Sequence, residues 1–191
     1  MNPSTGAAMF AIVLVGVVVA FIVVSTYNAV IALRNRIRKA WANIDVALKQ
    51  RHDQLPSLVD AVRGIMAFEQ DVFEEVARAR AAYASTDPIP RQAAVSEATT
   101  SAVRSLFAVV EAYPELKSAG SVQLLQEQIA RLEEIIADRR ELYNDQVFRY
   151  NTRIAQVPTN LLAGAFGWTP EPFFAAEETE RERPAVDISP A

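Results

Sequence analysis

A chain of 191 residues, 51% of them hydrophobic and none of them Cys, has room for one domain with a sizeable core. The missing cysteines exclude a disulfide framework, thiol chemistry and a lipidated-cysteine anchor. A formal net charge of −4 gives little basis for nucleic-acid binding, which rests on neutralising phosphates, so no nucleic-acid partner is expected.

Residues 1–6 form a short tail, and the run from Ala7 to Val24 carries no charge. Its 18 residues make a helix of about 27 Å. A hydrocarbon core is roughly 30 Å thick, and Ser25 and Thr26 extend the segment, so residues 7–26 read as a transmembrane helix. A cleaved signal peptide is the rival reading. It needs a positive n-region and a small-x-small cleavage site, and neither is present.

Arg34, Arg36, Arg38 and Lys39 follow the span before the first acid, Asp45. Lys and Arg close to a span resist translocation, so the expected topology is single-pass in an inner or intracellular membrane, with the N-terminus out and the large domain cytoplasmic. The same four residues form a basic collar, either a topology signal on a solvated face or a lipid head-group contact.

Residues 27–156 read as helical. Val30, Leu33, Ile37, Trp41, Ile44 and Leu48 recur at spacings of three and four and predict a helix over 27–51. In the following Gln-Arg-His-Asp-Gln-Leu-Pro, Pro56 and the capping residue Asp53 favour a break, although the apolar phase runs on through Leu55, Val59 and Val62 as it would in one kinked helix. A second helix is expected to about Ala84, with Leu55, Leu58, Val62, Ile65, Val72, Val76 and Tyr83 inward and Glu69 interrupting the stripe at an exposed edge. The run from Ser85 to Pro90 is a loop. A third helix follows to Ala112, with Val95, Ala98, Ala102, Leu106 and Val109 inward, and is closed by Tyr113 to Gly120. The fourth runs to Pro158. Leu125, Ile129, Leu132, Ile136, Tyr143, Val147, Tyr150 and Ile154 keep a near-heptad, coiled-coil-like spacing, and Asp145 and Arg149 form an (i, i+4) pair on its wet side.

Residues 157–175 are rich in aromatics and short of charge, and residues 176–191 turn charged and proline-bounded, a flexible tail. If the bundle is up-and-down, the fourth helix ends near the lipid surface. Leu161, Leu162, Phe166, Trp168, Phe173 and Phe174 then either cap the bundle end as a lid or lie at the membrane interface.

Residues that carry chemistry are sparse. His52, the only histidine, reads as a solvated turn residue, and there is no Glu-x-x-His pair for a di-iron bundle, no phosphate loop and no Gly-x-Ser-x-Gly. Adjacent carboxylates such as Glu133 and Glu134 stand about 100° apart on a helix and read as solvated faces. The expectation is a non-enzymatic protein without metal or cofactor.

The strings from Tyr27 to Gly64, Val72 to Arg80, Ala108 to Ser118, Arg139 to Ile154 and Pro158 to Trp168 resemble the LemA family of bacterial proteins, in order and at the family's spacing. The resemblance implies an all-α fold: an N-terminal membrane anchor followed by an antiparallel up-and-down four-helix bundle. Some relatives are associated with building intracellular membrane compartments in magnetotactic bacteria, and no catalytic residues come with the family. Two departures stand out. Arg51-His52 replaces a pair of basic residues, and Met66-Ala67-Phe68 replaces a run that often carries a histidine, which argues against a His-dependent role.

Two function classes remain. One is a membrane-anchored scaffold, presenting a bundle to protein partners not yet identified or to the bilayer itself, with a homo-oligomer also allowed. The other is a regulatory module in envelope signalling or proteolysis, for which the short outer tail offers too few residues to form a sensor domain.

Overall fold

A computed structural model describes residues 3–63, 70–114 and 119–175. Among these residues the protein is all-α, with helices α1 (Pro3–Arg63), α2 (Gln70–Ala81), α3 (Ile89–Ala112), α4 (Gly120–Ala155) and α5 (Thr159–Phe166) packed in the manner of a bundle. Expectations for Ile65, for Glu69, for half of the 113–120 closure and for the 176–191 tail fall on residues outside those described.

The chain divides into two compact units. The first holds the described residues of 1–50 and 131–173, the second those of 51–130 with 174 and 175. In the first unit the inward stripes fall where helical periodicity puts them. Val30, Ile37, Ile44 and Leu48 are buried on α1, and Leu132, Ile136, Tyr143, Val147, Tyr150 and Ile154 on α4. The two helices run antiparallel: the Trp41 and Tyr143 rings meet edge to face at 5.8 Å, and one heptad earlier on α1 Arg34 lies near Tyr150, one heptad later on α4. The Asp145–Arg149 pair forms at 2.9 Å on the exposed side, where it contributes a few tenths of a kcal/mol.

The second unit has a core of Leu55, Leu58, Val62, Phe73, Val76, Ala102, Val103, Leu106, Val110, Val122 and Ile129. Here the structure overturns the expected break at residues 51–56. The helix runs unbroken through Pro56, which lies inside α1. A mid-helix proline costs about 3 kcal/mol. Leu55, Leu58 and Val62, essentially inaccessible to solvent, each recover roughly 1.5–3 kcal/mol by burial. Packing outweighs the local penalty. Arg51, expected at the end of the first helix, is a buried mid-helix residue whose guanidinium donates to Thr100 Oγ1 at 2.9 Å and to Ser96 Oγ and O at 3.0 and 3.2 Å. His52, expected in a solvated turn, is helical and half-buried, with its ring 5.0 Å from that of Tyr83.

Two stripes are rotated from their expected faces. On α3, Ala98 is exposed and Val110 rather than Val109 is fully buried, because the helix turns Gln92, Ser96 and Thr99 inward. The two hydroxyls and the Gln92 amide nitrogen are hydrogen-bonded, while Gln92 Oε1 is buried without a partner. Thr99 donates to Val95 O at 2.8 Å, and Gln92 Nε2 donates to Ser85 O and Asp87 O, tying down the loop before α3. On α2, Phe73 and Val76 are buried while Val72 is only half-buried.

Candidate membrane-interface site

The apolar run of α1 is a candidate membrane span. It is long and apolar enough to cross a bilayer, and none of its 18-residue window is buried against protein. The helix leaves it without interruption. Ser25, at its edge, donates its hydroxyl to Ile22 O at 3.0 Å, so this polar group is already satisfied within the helix. Thr26 is buried one residue later, and Val30 starts the packed stripe.

Against this exit lies the C-terminal segment. Pro158 precedes α5, whose Thr-Asn-Leu-Leu-Ala-Gly-Ala-Phe sequence holds no charge. Gly167 ends it at φ 65°, the left-handed conformation that favours glycine, and the Trp168 N–H reaches back to Ala163 O at 2.9 Å. The reversal brings three rings together: Tyr27 to Phe166 at 5.2 Å, Tyr27 to Trp168 at 6.0 Å, and Phe166 stacked on Trp168 at 5.1 Å. Such contacts contribute about 0.5–1.5 kcal/mol each beyond area burial.

Beyond Trp168 the chain runs back along α4 as a strap. Tyr150 donates its hydroxyl to Thr169 O at 3.1 Å, and Tyr143 donates to Pro172 O at 2.9 Å. Between them Asn151 grips the main chain of Glu171 twice: its Nδ2 donates to Glu171 O at 3.0 Å, and its Oδ1 accepts from Glu171 N at 2.9 Å. The Glu171 carboxylate meets Arg34 Nε at 3.3 Å, closing the strap onto α1. Burial pushes the Tyr143 phenol up to about 12, with the Glu171 carboxylate adding to the shift. Tyr150 is raised by burial as well, Arg34 opposing and Glu171 reinforcing.

The expected site residues therefore separate. Of the basic collar, Arg34 is half-buried and paired, whereas Arg36, Arg38 and Lys39 are exposed. Of the aromatics, Trp168 and Phe174 are 7% and 1% exposed. Phe166 and Phe173 remain 44% and 43% exposed. Sequence reading missed Glu171, Asn151 and the two tyrosine hydroxyls. Only the strap's placement reveals them, although Gly167 after an apolar run was a legible helix stop. Elsewhere, a cavity of about 160 Å³ in the second unit is lined by Leu55, Pro56, Val59, Phe73 and Val76 together with Asp60 and Arg80. Small-molecule sites usually measure about 300–1,000 Å³.

A family model described as the LemA family matches residues 40–188. Among curated proteins the chain is similar to two from Paramagnetospirillum magneticum (strain ATCC 700264 / AMB-1), Magnetosome protein MamQ 2 and Magnetosome protein MamQ 1. Each is 35% identical over 86 residues, which is 45% of this chain and 29% of the relative's length.

Proposed function

The chain belongs to the LemA family, a membrane-associated helical protein by its fold and relatives, and from that premise we propose that it is a non-enzymatic membrane-anchored scaffold. Its N-terminus lies outside, its bundle is cytoplasmic, and it presents that bundle to protein partners or to other copies of itself in the organisation of a membrane. The observation that carries this reading is the continuity of α1. One helix, α1, holds both the apolar run and the packed stripe of the first unit, with no linker between them. The exposed Arg36, Arg38 and Lys39 support the orientation. Each adds on the order of 1 kcal/mol of attraction to an anionic leaflet. The likeness to proteins named for the magnetosome supports a role in membrane organisation, over the 86 residues that it covers.

The test has two parts. A reporter active only in the cytoplasm, fused after Ala191, is expected to be active, and the full chain to resist alkaline extraction from membranes while a chain starting at Ser25 does not. Neutralising Arg36, Arg38 and Lys39 together should weaken the orientation bias. Purification of the detergent-solubilised chain should then recover a partner, or further copies of the chain, in fixed ratio. A C-terminal reporter active only outside would reverse the topology, and a chain that stays monomeric and alone would sink the scaffold.

A further inference from the structure

We propose that α5 is a second membrane contact: its outer face lies flat in the head-group layer beside the exit of the span, and its occupant is lipid. The proposal rests on the reading of the N-terminal run as a span. Asn160, Leu161, Gly164 and Ala165 recur at spacings of three and four, and all are exposed, so one face of this short helix is open and mostly apolar, with the exposed Val157 just before it. Val157 and Leu161 are each 74% exposed. No charged residue occurs between Arg153 and Glu171, which is unusual for a segment that would otherwise meet water.

What identifies lipid as the occupant is continuity with the span. Phe166 and Trp168 hold α5 against Tyr27, three residues beyond Val24. On a helix, three residues amount to about 4.5 Å. The head-group region extends roughly 5–7 Å beyond the hydrocarbon on each side, so the Tyr27 ring and α5 fall within it. Aromatic side chains favour this level. Charge returns where the chain leaves the layer: Arg34 and Glu171, already paired, lie ten residues past Val24, about 15 Å along α1. The buried Trp168 is the hinge of the arrangement, packed inward while Leu161 faces out. A lid and an interfacial contact are thus two faces of one element.

The chain contains no Cys, so a single introduced cysteine can carry a nitroxide label with no native cysteine to remove first. Full-length Val15→Cys, Val157→Cys, Leu161→Cys and Glu134→Cys proteins would be labelled and reconstituted into phosphatidylcholine–phosphatidylglycerol vesicles. Accessibility to oxygen would be compared with accessibility to a water-soluble nickel complex. Glu134 is exposed on α4, twenty residues before Ile154, and serves as the aqueous reference. The oxygen-to-nickel ratio at Val157 and Leu161 is expected to be several-fold above that at Glu134 and below that at Val15, and unchanged on dilution with unlabelled protein. Ratios at both Val157 and Leu161 equal to that at Glu134, with Val15 still deep, would overturn the proposal and leave the span intact. Shielding at Leu161 that disappears on dilution with unlabelled protein would overturn it in favour of a contact between copies. An aqueous ratio at Val15 would mean that the span reading itself had failed, and α5 with it.

Discussion

The two parts of α1 that lie in the first unit share one backbone and differ in what surrounds it. From Ala7 to Val24 every position but Val23 is exposed, and the apolar residues follow no period. From Val30 to Leu48 the apolar residues fall on a buried stripe, while Arg36, Arg38, Lys39, Asn43 and Lys49 face out. The hydrogen-bond ladder is the same in both, since a helix satisfies its own backbone in either solvent. Water demands that the helix have a wet side and a dry side. Lipid makes no such demand, because a hydrocarbon tail is as apolar as the side chain it meets. Periodicity is therefore a signature of the solvent, and its loss on going back past Thr26 marks where the solvent is expected to change.

Truncation should separate the two parts most clearly. Ile44→Ala opens a cavity beside a fully buried position and is expected to cost about 2–5 kcal/mol. Val15→Ala, at an exposed position, should stay within about 0.5 kcal/mol. Thermal unfolding of the full chain in detergent checks both, and equal losses would break the distinction. Charge reverses the order of sensitivity. Val15→Arg is expected to reduce membrane insertion by about 2.5–3.5 kcal/mol. Ala42→Arg, on the exposed side of the packed part, should leave insertion and stability within about 0.5 kcal/mol. An insertion assay that found the two arginines equally tolerated would show that the apolar run does not cross lipid.

The α4 side of the packed part's interface should also respond to alkali where the apolar run, which holds no titratable side chain, cannot. Tyr143 holds its proton to about 12 in the folded protein. An unfolded tyrosine lets go near pH 10. The folded state thus binds the proton more tightly, so its advantage is complete below pH 10 and is lost as pH rises through about 12. The loss amounts to at most about 3 kcal/mol. Denaturant unfolding across that window should show the slope, and Tyr143→Phe should flatten it while lowering stability by about 0.5–1.5 kcal/mol at neutral pH through the lost bond to Pro172 O. A slope unchanged in the variant would assign the alkaline loss to another group.

These contrasts also explain what could be read in advance. The α4 stripe from Ile129 to Ile154 was legible because a repeat sustained over seven turns has only one helical face that suits it. Pro56 misled because a local rule sees one proline and not the buried Leu55, Leu58 and Val62 beside it. Ala98 misled because its small apolar side chain was judged without its competitor, Ser96, which α3 turns inward to meet Arg51. The apolar character of residues 157–175 was plain, but its division into a buried Trp168 and an exposed Leu161 depends on a turn at Gly167. Least legible was Glu171, whose ion-pair partner lies 137 residues away in sequence.

That long-range pair supports the subtlest prediction. Arg34 and Glu171 remain 37% and 28% exposed, so solvent screens them, and Glu171→Gln should cost less than about 1 kcal/mol. The strap should stay docked, because Asn151 holds the main chain of residue 171 and not its carboxylate. The tyrosines beneath it should nevertheless register the change. Burial is the main reason that Tyr150 is raised; Arg34 pulls it down and Glu171 pushes it up. Glu171→Gln is therefore expected to lower the Tyr150 pKa, and Arg34→Gln to raise it. Tyr143, which has Glu171 but not Arg34 among its causes, should fall in the first variant and hold in the second. NMR titration of Cζ-labelled tyrosine in each variant reads both rings separately. Shifts of the same sign at Tyr150 in the two variants would mean that the strap had come away from α4, and that the charge pair holds the segment in place as well as tuning the phenols beneath it.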